Sequence, residues 1–258
     1  MSPTVATAVR RIALLLGVLL AAERSWAQVF DHSLYDGLLH RHTSRGLVDY
    51  DAFAAAPEFA QYLALLAKSS PDRFSRGEQL AYWINAYNAY TIDLVNRHHE
   101  RASIQNIKNV LGHSPWQDPI VKSGGRSYTL DQVEHEILRK RFREPRIHFA
   151  VVCAAVSCAP LRAEAYTGVR LEGQLEDQAR NYLLGRTKGS RVDVANGVVY
   201  VSKIFSWYRD DFGGSDASIG DFIARYYPDG PEKHILQSGR FRLMEFEYDW
   251  SLNRQPGG

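Results

Sequence analysis

The stretch Leu80-Ala-Tyr-Trp-Ile-Asn-Ala-Tyr-Asn-Ala-Tyr-Thr-Ile-Asp-Leu-Val95 decides the architecture. Within it Leu80, Ile84, Tyr87, Thr91, Leu94 and Val95 recur at intervals of three and four. That spacing lays one apolar face of a helix against a core, and it predicts a long helix over 77–99. Two amides interrupt the pattern. Asn88 borders the apolar stripe and Asn85 lies further round. Such amides tie down a neighbouring loop or helix; alternatively they orient a histidine or hold a substrate carbonyl. Tyr82, Trp83, Tyr87 and Tyr90 beside them read as core packing rather than as a ligand cage.

Upstream, residues 31–41 and 57–68 carry the same helical spacing. Downstream lies a loop rich in Gly, Ser and Pro. In it a short hairpin is predicted, with Val121-Lys122 facing Arg126-Ser127-Tyr128 across Gly124-Gly125. Thr129 and Gln132 form a capping-box pattern for a helix to about Arg141. Ile147-His-Phe-Ala-Val-Val-Cys153 is short, apolar and preceded by Pro145, which reads as a buried strand. Pro160 suits the first turn of a helix. A helix over 171–184 and a hairpin over 191–201, turning at Asn196-Gly197, follow. Ser202 caps a short helix through Phe212, Ser218 with Asp221 forms a second capping box, and 241–248 is a last strand. The fold class expected is α+β: a single helix-rich domain around a small sheet, with an α/β description still open. The domain runs over 28–254, and 255–258 read as a disordered tail.

Of the 258 residues, the first 27 read as a signal peptide. Arg10-Arg11 form a positive start, Ile12–Ala22 is apolar but short of a membrane span, and Ser25-Trp26-Ala27 offers a cleavage point. A retained anchor and a buried N-terminal helix are the alternative readings. Removal of the signal leaves 28 basic residues (31 less three) and 28 acidic (29 less one). This neutrality argues against nucleic acid as a partner. The expected product is periplasmic or secreted, with no stable membrane insertion after cleavage. A peptide or small-molecule substrate is its expected partner, and the oligomeric state is left open. No phosphate-binding loop, nucleophile elbow or metal-ligand spacing stands out, so neither a cofactor nor a metal site is expected.

Cys153 and Cys158 are the two cysteines. A disulfide between them, a catalytic or redox-active thiol, and inert buried cysteines are the three readings. A helix starting at Pro160 would favour a thiolate at Cys158, which makes Cys158 the candidate nucleophile. A strand over 147–153 would put His148 and Cys153 on opposite faces, about 16 Å apart at about 3.3 Å per residue. His148 could then serve only Cys158, on a returning chain. On the 129–141 helix Leu130, Val133, Ile137 and Leu138 form the core stripe, with Glu134 inside it and His135 at its edge. A carboxylate there must be paired or shifted in pKa. It either belongs to a polar centre beside the cysteines or pairs with an arginine such as Arg146. Lys203 is a candidate for an anionic substrate group or a solvated side chain.

Several segments together resemble the family catalogued as domain of unknown function 547. They are Ala81-Tyr-Trp-Ile-Asn-Ala-Tyr-Asn-Ala89, Leu130-Asp-Gln-Val-Glu-His-Glu-Ile-Leu-Arg139 and Pro145-Arg-Ile-His-Phe-Ala150. Val152-Cys-Ala-Ala-Val-Ser-Cys-Ala-Pro-Leu161, Val201-Ser-Lys-Ile-Phe-Ser-Trp-Tyr-Arg-Asp-Asp-Phe212 and Tyr248-Asp-Trp-Ser-Leu-Asn253 follow in the family's order. The resemblance implies membership without an activity. Relatives that resemble fusions with a glutaredoxin-like module hint at thiol chemistry. Ala159 departs from the proline that relatives often carry.

Two classes of function follow. One is a cysteine-dependent hydrolase or acyl transferase. Its catalytic candidates are Cys158, His135, His148 and Glu134; its substrate-binding candidates are Asn85, Asn88, Arg146 and Lys203. The other is a binding or scaffold module stapled by a Cys153–Cys158 disulfide, or a redox partner using the same pair.

Overall fold

The computed structural model describes residues 28–256 except 109–111 and 113. The predicted signal, 1–27, lies outside the described residues.

The predicted central helix is α4 (Arg76–Arg97), preceded by α1 (Ser33–His42), the short strands β1 (Thr43–Ser44) and β2 (Leu47–Val48), α2 (Tyr50–Ala55) and α3 (Pro57–Lys68). Ser75 caps α4 by accepting the Glu78 N–H. The helix is more enclosed than one apolar stripe requires, since every residue from Leu80 to Ile92 is buried. Helices α2 and α3 pack against α4, as do strand β3 (Val121–Ser123) and the helix that follows the β3–β4 hairpin. Strand β4 is Arg126–Tyr128, and Gly124 and Gly125 take positive φ at the turn between the two strands.

The Thr129–Gln132 capping box is present in both directions, with Thr129 N–H donating to Gln132 and Gln132 N–H to Thr129. The helix it opens is not α-helical through most of its length: Gln132–Phe142 is a π-helix, ending at Arg143 with φ 52°. Long π-helices are rare and often mark functional sites.

The predicted strand over 147–153 is absent. Pro145–Phe149 is a 3₁₀ helix with the Glu144 side chain capping the Arg146 N–H, and the chain beyond it is irregular. Among the described residues no strand pairs with 147–153; the amide of Asn88 binds its backbone, donating to Ala150 O and accepting from Val152 N–H, both at 2.9 Å, and only Ala155 beyond it makes an isolated antiparallel bridge, to Leu252. A short apolar run signals burial, and a buried turn produces the same signal as a buried strand. Nor does a helix begin at Pro160, where the chain runs on without regular structure to α5 (Leu171–Leu183).

Strands β5 (Ser190–Asp193) and β6 (Val198–Val201) form the predicted hairpin, and β7 (Arg242–Glu245) joins β6 in parallel. Between them the Ser202-led helix breaks at Tyr208 into α6 (Ile204–Trp207) and a 3₁₀ turn over Arg209–Phe212. Helix α7 (Asp216–Ala224) starts before the predicted box, because Ser215 and Ser218 cap each other reciprocally. Helix α8 is Pro231–Ser238. One core surrounds α4; a second fills the space between this sheet, α5 and α7. The α+β class holds, with the sheets peripheral and α4 at the centre.

Residues 248–255 return across the molecule. Val156 N–H donates to Ser251 O, Ser157 N–H to Asp249 O, and Asn253 N–H to Ala154 O. Gln255, the first residue of the expected tail, is itself pinned by its N–H to Val48 O. No helix among the described residues is long and apolar enough to cross a membrane.

Candidate active site

The segment 150–158 owes its shape to side chains on other elements. Asn88 clamps Ala150 and Val152 from α4. The chain then reverses through Ala154, which is buried with φ 64°, a conformation that costs a non-glycine residue energy and clusters at functional sites. Lys188 braces the far end, its Nζ donating to Val156 O and Cys158 O at 3.0 Å each. The turn leaves Cys153 partly exposed and seats Cys158 behind it, buried.

The expected disulfide is not formed; both cysteines are free and the sulfurs are not at bonding distance. Cys158 Sγ accepts the Cys153 N–H at 3.0 Å. The two thiols differ. The Cys158 thiol beside it pulls the Cys153 pKa down, against burial and the Glu134 charge, and the Tyr248 hydroxyl and Ala155 N–H assist. Burial pushes the Cys158 thiol well up, and the neighbouring Cys153 adds to this. Burial also holds Tyr248 protonated, so its hydroxyl can donate across the 3.2 Å contact to a Cys153 thiolate. No helix begins at Pro160 to favour a thiolate at Cys158, and the aids that remain there, the Cys153 N–H and the Lys188 charge, do not offset its burial.

A charged relay stands beside the thiols. His148 Nε2 is 2.7 Å from Asp211 Oδ2, and Arg139 holds the same carboxylate through Nε at 2.6 Å and Nη2 at 3.0 Å. Desolvation pushes Asp211 up, but the hydrogen bonds from His148 and Arg139 prevail and hold it well below the usual carboxylate range. A carboxylate accepts only, so His148 Nε2 carries a proton, and in the neutral ring Nδ1 carries the lone pair. That Nδ1 is buried with no hydrogen-bond partner. The ring stacks on Tyr208 at 3.9 Å between centroids. Arg139 Nη1 also lies 3.0 Å from His135 Nδ1; because arginine only donates, His135 accepts there and presents Nε2–H.

Both cysteines and both histidines open into one cavity of about 370 Å³, with Asp211 and Arg139 outside its lining. Cys158, His135, His148 and Glu134, the four catalytic candidates, all line it together with Cys153. The 3₁₀ turn brings His148 there, where strand geometry would have kept it from Cys153. Glu134 is buried and accepts from the Tyr87 hydroxyl at 3.1 Å. It does not pair with Arg146, which binds Glu144 and Glu172 instead. Trp116, Trp207, Tyr208, Tyr248 and Trp250 supply aromatic walls.

The four substrate-binding candidates are not brought to the cavity. Asn85 is engaged with Tyr166, donating to its O at 2.7 Å and accepting from its N–H at 3.0 Å. Asn88 is engaged with the cysteine loop, and Arg146 with its carboxylates. Lys203 lies at the start of α6 and is not among the lining residues. Sequence reasoning missed Asp211 and Arg139 as a pair, and it missed the aromatic wall at Tyr248 and Trp250. The segments containing all four were visible in the family resemblance, but no spacing linked them to the cysteines. Among the described residues no three His, Cys, Asp or Glu side chains are grouped to hold a metal ion.

Residues 71–183 match the model of a family described as "Protein of unknown function, DUF547". This supports the resemblance drawn from the motifs. The match covers the α4 frame, the π-helix, the 3₁₀ turn and both cysteines; Asp211, Tyr248 and Trp250 lie beyond it. No curated protein and no solved structure matches the chain.

Proposed function

We propose that the chain is a cysteine-dependent acyl-transfer enzyme, a hydrolase or transferase acting outside the cytoplasm, with Cys153 as nucleophile. One observation carries this: a partly exposed thiol of lowered pKa sits in a walled cavity that also holds a carboxylate-oriented histidine. His148 Nδ1, directly or through one water, takes the Cys153 proton, and Asp211 stabilises the imidazolium. The thiolate forms an S–C bond to the acyl carbon as the bond to the leaving group breaks, and the imidazolium returns the proton to that group. Water or an amine then adds to the thioester, gives its proton to His148, and releases the thiol. The Cys153 N–H is engaged with Cys158 Sγ, so Tyr248 O–H and His135 Nε2–H are the donors available to the acyl oxygen.

A second reading, a thiol redox partner, draws on Cys158 lying directly behind Cys153. Iodoacetamide labelling followed by mass spectrometry separates the readings, with a panel of aryl ester and thioester substrates assayed on the same protein. The native protein is expected to label rapidly at Cys153 and to leave Cys158 silent until denatured. Cys153→Ala abolishes hydrolysis and Cys158→Ala retains it. Hydrolysis that survives Cys153→Ala, or equal labelling of both thiols, overturns acyl transfer. A protein inactive on the panel that forms a Cys153–Cys158 disulfide with oxidised glutathione supports the redox reading.

A further inference from the structure

The cavity's charge and walls carry information on what enters it. Two carboxylates line it, Asp131 and Glu134, and among the described residues no Lys or Arg does. Arg139, whose guanidinium lies over the ring of the lining residue Tyr208, is held by both oxygens of Asp211. Glu134 is only 6% exposed and receives a neutral phenol, the Tyr87 hydroxyl, rather than a cation. A buried carboxylate with only neutral donors keeps its charge at a cost, which a partner of opposite sign removes. Around it stand π-faces. Trp207 stacks with Trp250 at 5.7 Å, and Tyr248 packs on Trp250 at 4.6 Å. A carboxylate within an aromatic box is a recognised arrangement for binding ammonium groups. A second observation is independent of the acids: His148 Nδ1 is buried with no hydrogen-bond partner, on a residue that lines the same cavity.

We propose that the cavity takes a substrate bearing a positively charged amine, seated between the Glu134 carboxylate and the Trp207–Tyr248–Trp250 wall. This rests on the acyl-transfer reading for what happens next, but the binding itself does not. The acyl donors it points to are amino-acyl compounds or peptides with a free amino group near the reacting carbonyl, not carboxylate-bearing ones. The arrangement also links binding to chemistry. The Glu134 charge opposes ionisation of Cys153. A bound ammonium neutralises that charge, so the thiolate forms more readily once substrate is in place.

Three probes of one shape test this by calorimetry on the full mature chain at neutral pH: 2-phenylethylammonium, 2-phenylethanol and phenylacetate. The ammonium is expected to bind about tenfold or more tighter than the alcohol, with phenylacetate weakest. Glu134→Gln, which keeps an oxygen for the Tyr87 hydroxyl, is expected to erase the preference; Cys153→Ala is expected to keep it. Asp131→Asn, on the cavity's rim, gives a second readout should Glu134→Gln fold poorly, and is expected to lessen the preference. Equal binding of the three probes, no binding by any, tighter binding of phenylacetate, or a preference unchanged in both carboxylate variants overturns the proposal. Because Cys153→Ala is inert in acyl transfer, a cation preference there stands even if no ester is ever hydrolysed. Loss of the preference with hydrolysis intact refutes the amine alone.

Discussion

Replacing Asn88 with alanine tests whether α4 shapes the reactive thiol. The residue is 3% exposed, and the two groups it holds, Ala150 O and Val152 N–H, belong to residues 1% and 4% exposed. Both bonds are 2.9 Å long. Each buried backbone group left without a partner costs about 1–3 kcal/mol, so the substitution costs about 2–6 kcal/mol. A water entering the vacated space brings the loss toward the lower end. Asn85 is a matched control on the same helix. It is 1% exposed and makes the same pair of bonds, at 2.7 and 3.0 Å, to Tyr166. Its loop, however, does not carry Cys153. Urea unfolding should therefore show similar losses for Asn85→Ala and Asn88→Ala. Only Asn88→Ala should raise the pH midpoint of Cys153 alkylation, because Val152 immediately precedes the residue whose sulfur needs the Cys158, Tyr248 and Ala155 donors in place. An Asn88→Ala loss below about 1 kcal/mol would contradict the energetic half of this reasoning, taken from the cost of unpaired buried groups. An equal shift of the thiol in both variants would contradict the positional half.

Two further substitutions probe the relay and the packing behind the cysteine loop. Asp211→Asn leaves His148 and Arg139 without their shared anion, and hydrolysis is expected to fall about a hundredfold or more. Because the folded Asp211 carboxyl titrates below its unfolded value, its stabilisation is full above about pH 4 and is lost as pH falls further. The stability gap between wild type and Asp211→Asn, followed by thermal melts from pH 7 to pH 3, should narrow on acidification; a constant gap would assign the relay no role in stability. Gly46 has φ 80°, and an added Cβ would collide with Pro160 two residues beyond Cys158. Gly46→Ala should cost about 2–4 kcal/mol from overpacking and left-handed strain, read as a lowered urea midpoint; a neutral substitution would show that the Pro160 contact is loose.

What the sequence disclosed followed the range of the interactions involved. Helix α4, the β3–β4 hairpin and the Thr129 cap are set by neighbours within a turn or two, and each was legible as a period, a Gly-Gly pair or a reciprocal cap. The run 147–153 announced burial correctly and conformation wrongly, because apolar content reports where a segment lies and not which partner satisfies its backbone. That partner is Asn88, a side chain 62 and 64 residues distant from the groups it binds. The same limit hides the surroundings that make the two thiols differ. A local helix terminus was the one activating device a sequence can display, whereas the donors on Cys153 come from the Cys158 thiol and from Tyr248, 95 residues away. Asp211, 63 residues from His148, was out of reach for the same reason.

The amides that tie down loops and the strand that is absent have one physical explanation. A catalytic loop in many folds hangs from the end of a strand, whose ladder fixes its backbone. Here, among the described residues, the cysteine loop has only the single bridge Ala155–Leu252 in place of a ladder, and a buried helix does much of that work with side chains. Asn88 supplies one donor and one acceptor at the spacing a neighbouring strand would offer, and the returning segment 249–253 supplies further bonds from the other side. Polar residues inside the α4 stripe are thus what an apolar helix needs in order to serve as scaffold for irregular backbone. Their cost in burial is offset by complete pairing. Two groups at the cavity are met differently. Glu134 receives phenol hydroxyls, from Tyr87 and Tyr208, and His148 Nδ1 has no partner. Each α4 amide spends a donor and an acceptor on the backbone it holds, whereas His148 keeps one ring nitrogen unspent on a residue that lines the cavity, which is the difference between holding a loop and meeting a ligand.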